Sequence, residues 1–174
     1  MKLLSLDQFN SMTEREARDT LSFCCTSSQW IERVADQRPY DSVSKLQEVA
    51  LSVWQSCQEQ DLLEAFEGHP KIGDVSSLRE KYRNTQSLAE HEQSSVAQAQ
   101  EAVIQELAEK NQAYLDKFGF IFIVFATGKS AQQMLDILNG RIGNERHQEL
   151  ENAAVEQSKI TALRIDKLFG LTDS

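Results

Sequence analysis

His69 and Pro70 stand side by side in a chain that holds only three histidines and two prolines. They follow a helical run with apolar Leu62, Leu63 and Phe66 that stops at Gly68, within the stretch "EAFEGHPKIGD". The ring of Pro70 fixes its own φ and turns His69 away from the α region, and Gly68 is read as the residue that lets the chain turn. An imidazole stiffened in this way loses little entropy when it meets a ligand. Its pKa also lies near neutral pH, as a general acid or base requires. The plainer alternative is a loop histidine that hydrogen-bonds nearby backbone.

Two more polar residues fall in apolar helical stripes. Steps of three and four from Leu150 pass through Ala153, Gln157, Ile160, Arg164 and Leu168, one face of a helix. Arg164 then either snorkels, with its stem packed and its head in water, or turns its fork of donors into a cavity to clamp a carboxylate or ureido oxygen. On an earlier helix, counting back from Leu107 through Val103, Ala99 and Val96 reaches Glu92. The macrodipole alone would favour a carboxylate in that first turn.

Other chemistries lack their residues. "TGKS" at 127–130 resembles the end of a phosphate-binding loop, but the leading glycine would fall at Ile123. His69, His91 and His147 have no i, i+4 partners among themselves and no cysteine beside them, so no metal site is expected. There is no glycine-rich dinucleotide fingerprint and no GxSxG elbow.

The elements that must position these residues are helical. Periodicity predicts a short segment at Leu6 to Phe9, then a helix over 13–23 opened by Thr13 with Glu16 three residues on, a capping box. Ser27 or Ser28 caps a helix to about Asp36, ended by Pro39. Asp41 or Ser42 starts a longer one with Val43, Leu46, Val49, Ala50, Val53 and Trp54 on one side, and a short helix covers 62–67. Residues 71–88 read as an irregular polar excursion, followed by a long helix over 89–118. "FGFIFIVFA" at 118–126 is β-like but has no strand partner, so it is expected as an extended segment buried against helices. A helix over 130–138, the turn "NGRIGN" and a last helix over 144–169 complete an all-α, single-domain bundle of about eight helices spanning 1–174.

The totals fit this. A chain of 174 residues with 40% hydrophobic and 26% charged residues is the size of one domain with a real core. The net charge of -9 with no Lys/Arg cluster argues against nucleic acid or an acidic membrane. An anionic small ligand would need a locally placed cation. Cys24, Cys25 and Cys57 have neither disulfide nor metal spacing and read as reduced thiols. With no secretory leader, no span and no peroxisomal tripeptide read in the chain, a cytoplasmic location is expected.

Four segments, in order, resemble a known family. "HPKIG" at 69–73, "AEHEQ" at 89–93, "FGFIFIVFATGKS" at 118–130 and "ITALRIDKL" at 160–168 are similar to the motifs of 2-oxo-4-hydroxy-4-carboxy-5-ureidoimidazoline (OHCU) decarboxylase, the third enzyme from urate to allantoin. The resemblance covers nearly the whole chain. It implies an all-helical, cofactor-free enzyme, usually a homodimer, in which the catalytic histidine is His69 and Pro70 beside it contacts substrate. It puts the family's SxxEQ segment on Ala89, Glu90, His91, Glu92 and Gln93, with Glu92 catalytic. It puts backbone substrate contacts on Phe122, Ile123, Val124, Phe125 and Ala126, and the substrate-binding arginine on Arg164. Two positions depart from the family: Ala89 where serine is common, and Ile121 where proline is common within FGFPF.

The implied reaction sends the electron pair of the departing carboxylate into the adjacent ring C=N, giving an enol-like intermediate that is protonated on one face. His69 would carry the proton, as giver or taker. Glu92 would orient His69 or bond the ureido N–H groups, and Arg164 would hold an oxygen. The rival class is a non-catalytic helical module for a protein partner, which requires Arg164 and Glu92 on the surface, far from His69. A hydrolase acting one step earlier in the same route is a third reading, to which a helical sequence is poorly suited.

Overall fold

The computed structural model describes residues 3–70, 74–82 and 93–172. Among them the chain is helical, with nine helices and no strand: α1 (Leu6–Ser11), α2 (Glu14–Ser22), α3 (Ser28–Asp36), α4 (Val43–Gln55), α5 (Glu59–Glu67), α6 (Val75–Lys81), α7 (Gln93–Phe118), α8 (Ala131–Arg141) and α9 (Arg146–Leu168). The chain divides into two compact units, Met1–His69 with Asn152–Ser174, and Pro70–Glu151.

In the first unit, helix starts are set by hydroxyl caps. Ser5, Thr13, Ser27 and Ser42 each accept a backbone N–H of the first turn, satisfying donors that would otherwise be orphaned. Helix α3 packs against α2, α4 and α5, and its Trp30, fully buried, donates Nε1–H to the Ala50 carbonyl at 3.0 Å. The later part of α9 is pinned to α4 through Trp54 Nε1 on the Ala154 carbonyl (2.8 Å) and Gln47 Nε2 on the Ala162 carbonyl (2.8 Å). Leu46, Ala50, Val53 and Trp54 form the buried side of α4, and Ala153, Gln157, Thr161, Ile165 and Leu168 the buried stripe of α9.

In the second unit, α7 packs against α6 and α8. Its buried stripe is Ile104, Leu107, Tyr114 and Phe118, while Ala99 is exposed. Residues 119–126 are extended without a strand partner among the described residues, and Phe120, Ile123 and Val124 are buried. Two cations take up their carbonyls: Arg141 Nη1 donates to Ile123 O at 2.7 Å and Lys129 Nζ to Phe125 O at 2.7 Å. Arg141 also lies 4.7 Å over the Phe122 ring. Arg141 is itself fixed by fully buried Glu149, which accepts Arg141 Nε at 2.7 Å, Tyr114 Oη at 2.6 Å and Asn144 Nδ2 at 2.9 Å. Buried charge is tolerated here because each carboxylate oxygen finds a donor.

Three expectations need correction. The stretch 71–88 contains α6, capped by Asp74 on Ser77 N, where an irregular excursion was expected. Helix α8 continues through Asn139 and Gly140 to Arg141, where a turn was expected. The buried stripe of α7 runs through Ile104, while Ala99, on the stripe counted back from Leu107, is exposed; Glu92 lies outside the described residues.

Candidate active site

Helix α5 ends at Gly68 in ordinary helical backbone, φ -72 and ψ -12, so glycine is not there to supply a left-handed turn. It is there for room: a Cβ on Gly68 would meet Thr26 Oγ1 at 2.1 Å. The chain therefore passes tight against the loop between α2 and α3, and the His69 N–H still bonds the Phe66 carbonyl at 3.2 Å. This close approach delivers the His69 side chain to the buried stripe of α9.

There, Nε2 of His69 meets Oε1 of Gln157 at 2.5 Å. Gln157 is 1% exposed and donates its own Nε2–H to Thr161 Oγ1 at 2.9 Å. Because an amide oxygen only accepts, this arrangement makes Nε2 the protonated nitrogen of the neutral ring. Among the described residues Gln157 is the ring's one hydrogen-bond partner. Burial lowers the pKa of His69 below 6.5, the Gln157 bond opposes that, and the Arg164 charge lowers it further. The resting imidazole is thus neutral near pH 7, with Nδ1 able to accept a proton.

Arg164, about one turn along α9 from Thr161 and two from Gln157, is half-buried. Among the described residues its guanidinium makes one long hydrogen bond, Nη1 to Cys24 O at 3.5 Å, and no ion pair. Its field reaches His69, Cys24 and Cys25, so the cation and the imidazole share one neighbourhood, against the requirement of the interaction-module reading. Cys24 and Cys25 are buried and their thiols are pushed up to about 12 by desolvation. They line the site as neutral groups and are not nucleophiles.

His69 and Arg164 are thus brought together within the first unit. Pro70 is exposed. Ala89, Glu90, His91 and Glu92 lie outside the described residues, and Gln93 opens α7. Phe122, Ile123, Val124, Phe125 and Ala126 lie in the extended segment of the second unit, with Ile123 and Val124 buried. Sequence reasoning placed Gln157 on the stripe but gave it no task. The available signal was an uncharged polar residue amid apolar ones, with Thr161 four residues on.

Among the described residues, a helical scaffold holds a neutral imidazole beside a guanidinium with a single long hydrogen bond, an arrangement that can exchange a proton and bind an anionic oxygen. The comparisons with known proteins point the same way. The pattern of the OHCU decarboxylase family matches residues 10–166. The chain is 37% identical over 152 residues to a uric acid degradation bifunctional protein of Arabidopsis thaliana, covering 87% of this chain and 47% of that protein. It is 27% identical over 169 residues to the 2-oxo-4-hydroxy-4-carboxy-5-ureidoimidazoline decarboxylase of Halalkalicoccus jeotgali, covering 97% and 93% of the two chains. A crystal structure of an OHCU decarboxylase in the presence of (S)-allantoin superposes with a TM-score of 0.70 at 35% identity, over 87% of this chain and 98% of that one. The chain belongs to the OHCU decarboxylase family. It spans about half the length of the Arabidopsis protein and 93% of the Halalkalicoccus one.

Proposed function

We propose that this chain decarboxylates 2-oxo-4-hydroxy-4-carboxy-5-ureidoimidazoline to (S)-allantoin, with His69 as the proton carrier. The observation that carries the reading is the half-buried His69 ring, held by Gln157 with the Arg164 charge acting on it. The carbon–carboxylate bond breaks and carbon dioxide leaves, while the electron pair enters the ring C=N to give an enol-like intermediate. Neutral His69 takes the proton of the ring hydroxyl as the carbonyl forms, and a proton is delivered to the former imine carbon on one face. The former imine nitrogen takes up the one proton consumed overall, and the substrate's own C=N serves as electron sink, so the reaction as written uses no cofactor.

Arg164 holds a carbonyl or carboxylate oxygen by charge-assisted hydrogen bonds. The family resemblance supports Glu92 as the group that orients His69 or accepts the ureido N–H groups. It likewise supports Ala89 to Gln93, Pro70 and the backbone of Phe122 to Ala126 as substrate contacts. The family match running across both compact units supports one functional domain over 1–174. The resemblance also supports a homodimer, and the unpaired thiols Cys24, Cys25 and Cys57 suit a reducing, cytoplasmic setting.

The test is His69→Asn, which keeps a polar ring-sized group but cannot carry the proton. Its kcat should fall by roughly 10²–10⁴-fold, and near-normal turnover would remove His69 from the chemistry.

A further inference from the structure

We propose that Gln157 is a positioning residue for His69: it fixes the Nε2–H tautomer and thereby presents Nδ1 as the ring atom that exchanges protons with the substrate, while Thr161 fixes the amide of Gln157. The inference rests on the decarboxylase reading above and assigns a task to two residues that do not themselves touch substrate.

The geometry is a directed chain. Thr161 Oγ1 accepts Gln157 Nε2–H at 2.9 Å, so the amide nitrogen is committed to Thr161. The amide oxygen is left to face His69 Nε2 at 2.5 Å. With Gln157 1% exposed and Thr161 7% exposed, neither can exchange its partner for water without leaving a buried polar group unsatisfied. The spacing of four residues puts both on the same face of α9.

The choice of an amide has a consequence. A carboxylate at 157 would also orient the ring, but its charge would stabilise the imidazolium and raise the His69 pKa. An amide orients without charging. Among the described residues the other charged or titratable groups acting on this network are Arg164, Cys24 and Cys25, and none of these is an anion at neutral pH. Within that set the ring stays neutral, with Nδ1 able to accept a proton.

The experiment reads the ring nitrogens of uniformly ¹⁵N-labelled full-length protein by long-range ¹H–¹⁵N correlation, with His69→Asn identifying the signal, beside kcat and KM. The wild type should show the Nε2–H tautomer. Gln157→Leu should mix the tautomers and lower kcat roughly ten- to hundredfold, as expected for a misdirected acid–base group, with KM little changed. Thr161→Val should do the same more weakly. Gln157→Glu should retain the tautomer and move the acid limb of kcat/KM to higher pH.

An Nδ1–H tautomer in the wild type with normal turnover would overturn this inference alone. So would Gln157→Leu with unchanged tautomer and kcat. If Gln157→Leu does not fold, the wild-type spectrum and Thr161→Val decide the matter. Absence of turnover in the wild type, with the Nε2–H tautomer present, would instead overturn the decarboxylase reading and the catalytic role that rests on it.

Discussion

Gly68 and Thr26 are in contact so close that a methyl group on Gly68 would lie 2.1 Å from Thr26 Oγ1 and 2.7 Å from its Cγ2. Thr26 is not free to swing aside, because its hydroxyl donates to the Glu64 and Ala65 carbonyls, each at 3.3 Å, in the last turn of α5. That contact sets where α5 ends and hence where His69 enters the site. Gly68→Ala should therefore destabilise the fold by about 1–3 kcal/mol, the range for overpacking, although alanine is the better helix former. Thermal unfolding checks this, and a Gly68→Ala variant as stable as the wild type would mean that Thr26 yields easily.

The depressed pKa of His69 has a signed consequence. Because the folded state binds its proton less readily than the unfolded one, whose reference value is 6.5, His69 contributes stability that is fully present above pH 6.5. That contribution is lost as pH falls through the lower folded value. The same shift places the acid limb of kcat/KM, where a neutral base is required, below pH 6.5. A ring titration followed by NMR checks both, and a His69 that titrates above 6.5 would contradict the burial argument.

Arg164→Lys separates clamping from snorkelling. Lysine keeps the stem and the charge but loses the planar fork. If Arg164 holds a substrate oxygen, kcat/KM should drop roughly ten- to hundredfold, matching the ~1.5–3 kcal/mol of a charged hydrogen bond, with stability nearly unchanged. Arg164→Met should in addition let the His69 pKa rise, because the lowering field is gone. Unaltered kinetics in both variants would return Arg164 to a packing role.

Glu149→Ala addresses the support of the extended segment. It would leave the Arg141 guanidinium without its carboxylate at 12% side-chain exposure, a situation that costs about 3–5 kcal/mol. Unfolding should shift strongly to lower denaturant. Because Arg141 also holds the Ile123 carbonyl, amide exchange across 119–126 should accelerate. A Glu149→Ala protein with wild-type stability would show that the network contributes little.

Much of the fold was legible because it is encoded locally. The capping box at Thr13 and the caps read at Ser27 or Ser28 and at Asp41 or Ser42 announce helix starts that the structure places at Thr13, Ser27 and Ser42, and the absence of a strand partner for 119–126 foretold an extended segment. What failed depends on distant partners. Helix α6 spans seven residues and has one buried side chain, Leu78, too little for a periodicity to emerge among serines. Helix α8 overrides Asn139 and Gly140 because Arg141 is held by Glu149 and Ile123, which helix propensity cannot anticipate. In the site, His69 and Arg164 were visible as scarce or misplaced residue types. Gln157 was visible only as a polar interruption, since its task requires an imidazole 88 positions away in sequence.

The most direct test of the central claim is to generate the ureidoimidazoline carboxylate freshly from urate, add the protein and follow circular dichroism. Fast appearance of the signal of (S)-allantoin, lost in His69→Asn, is the predicted result; slow decay to racemic product, the same with and without protein, would contradict it.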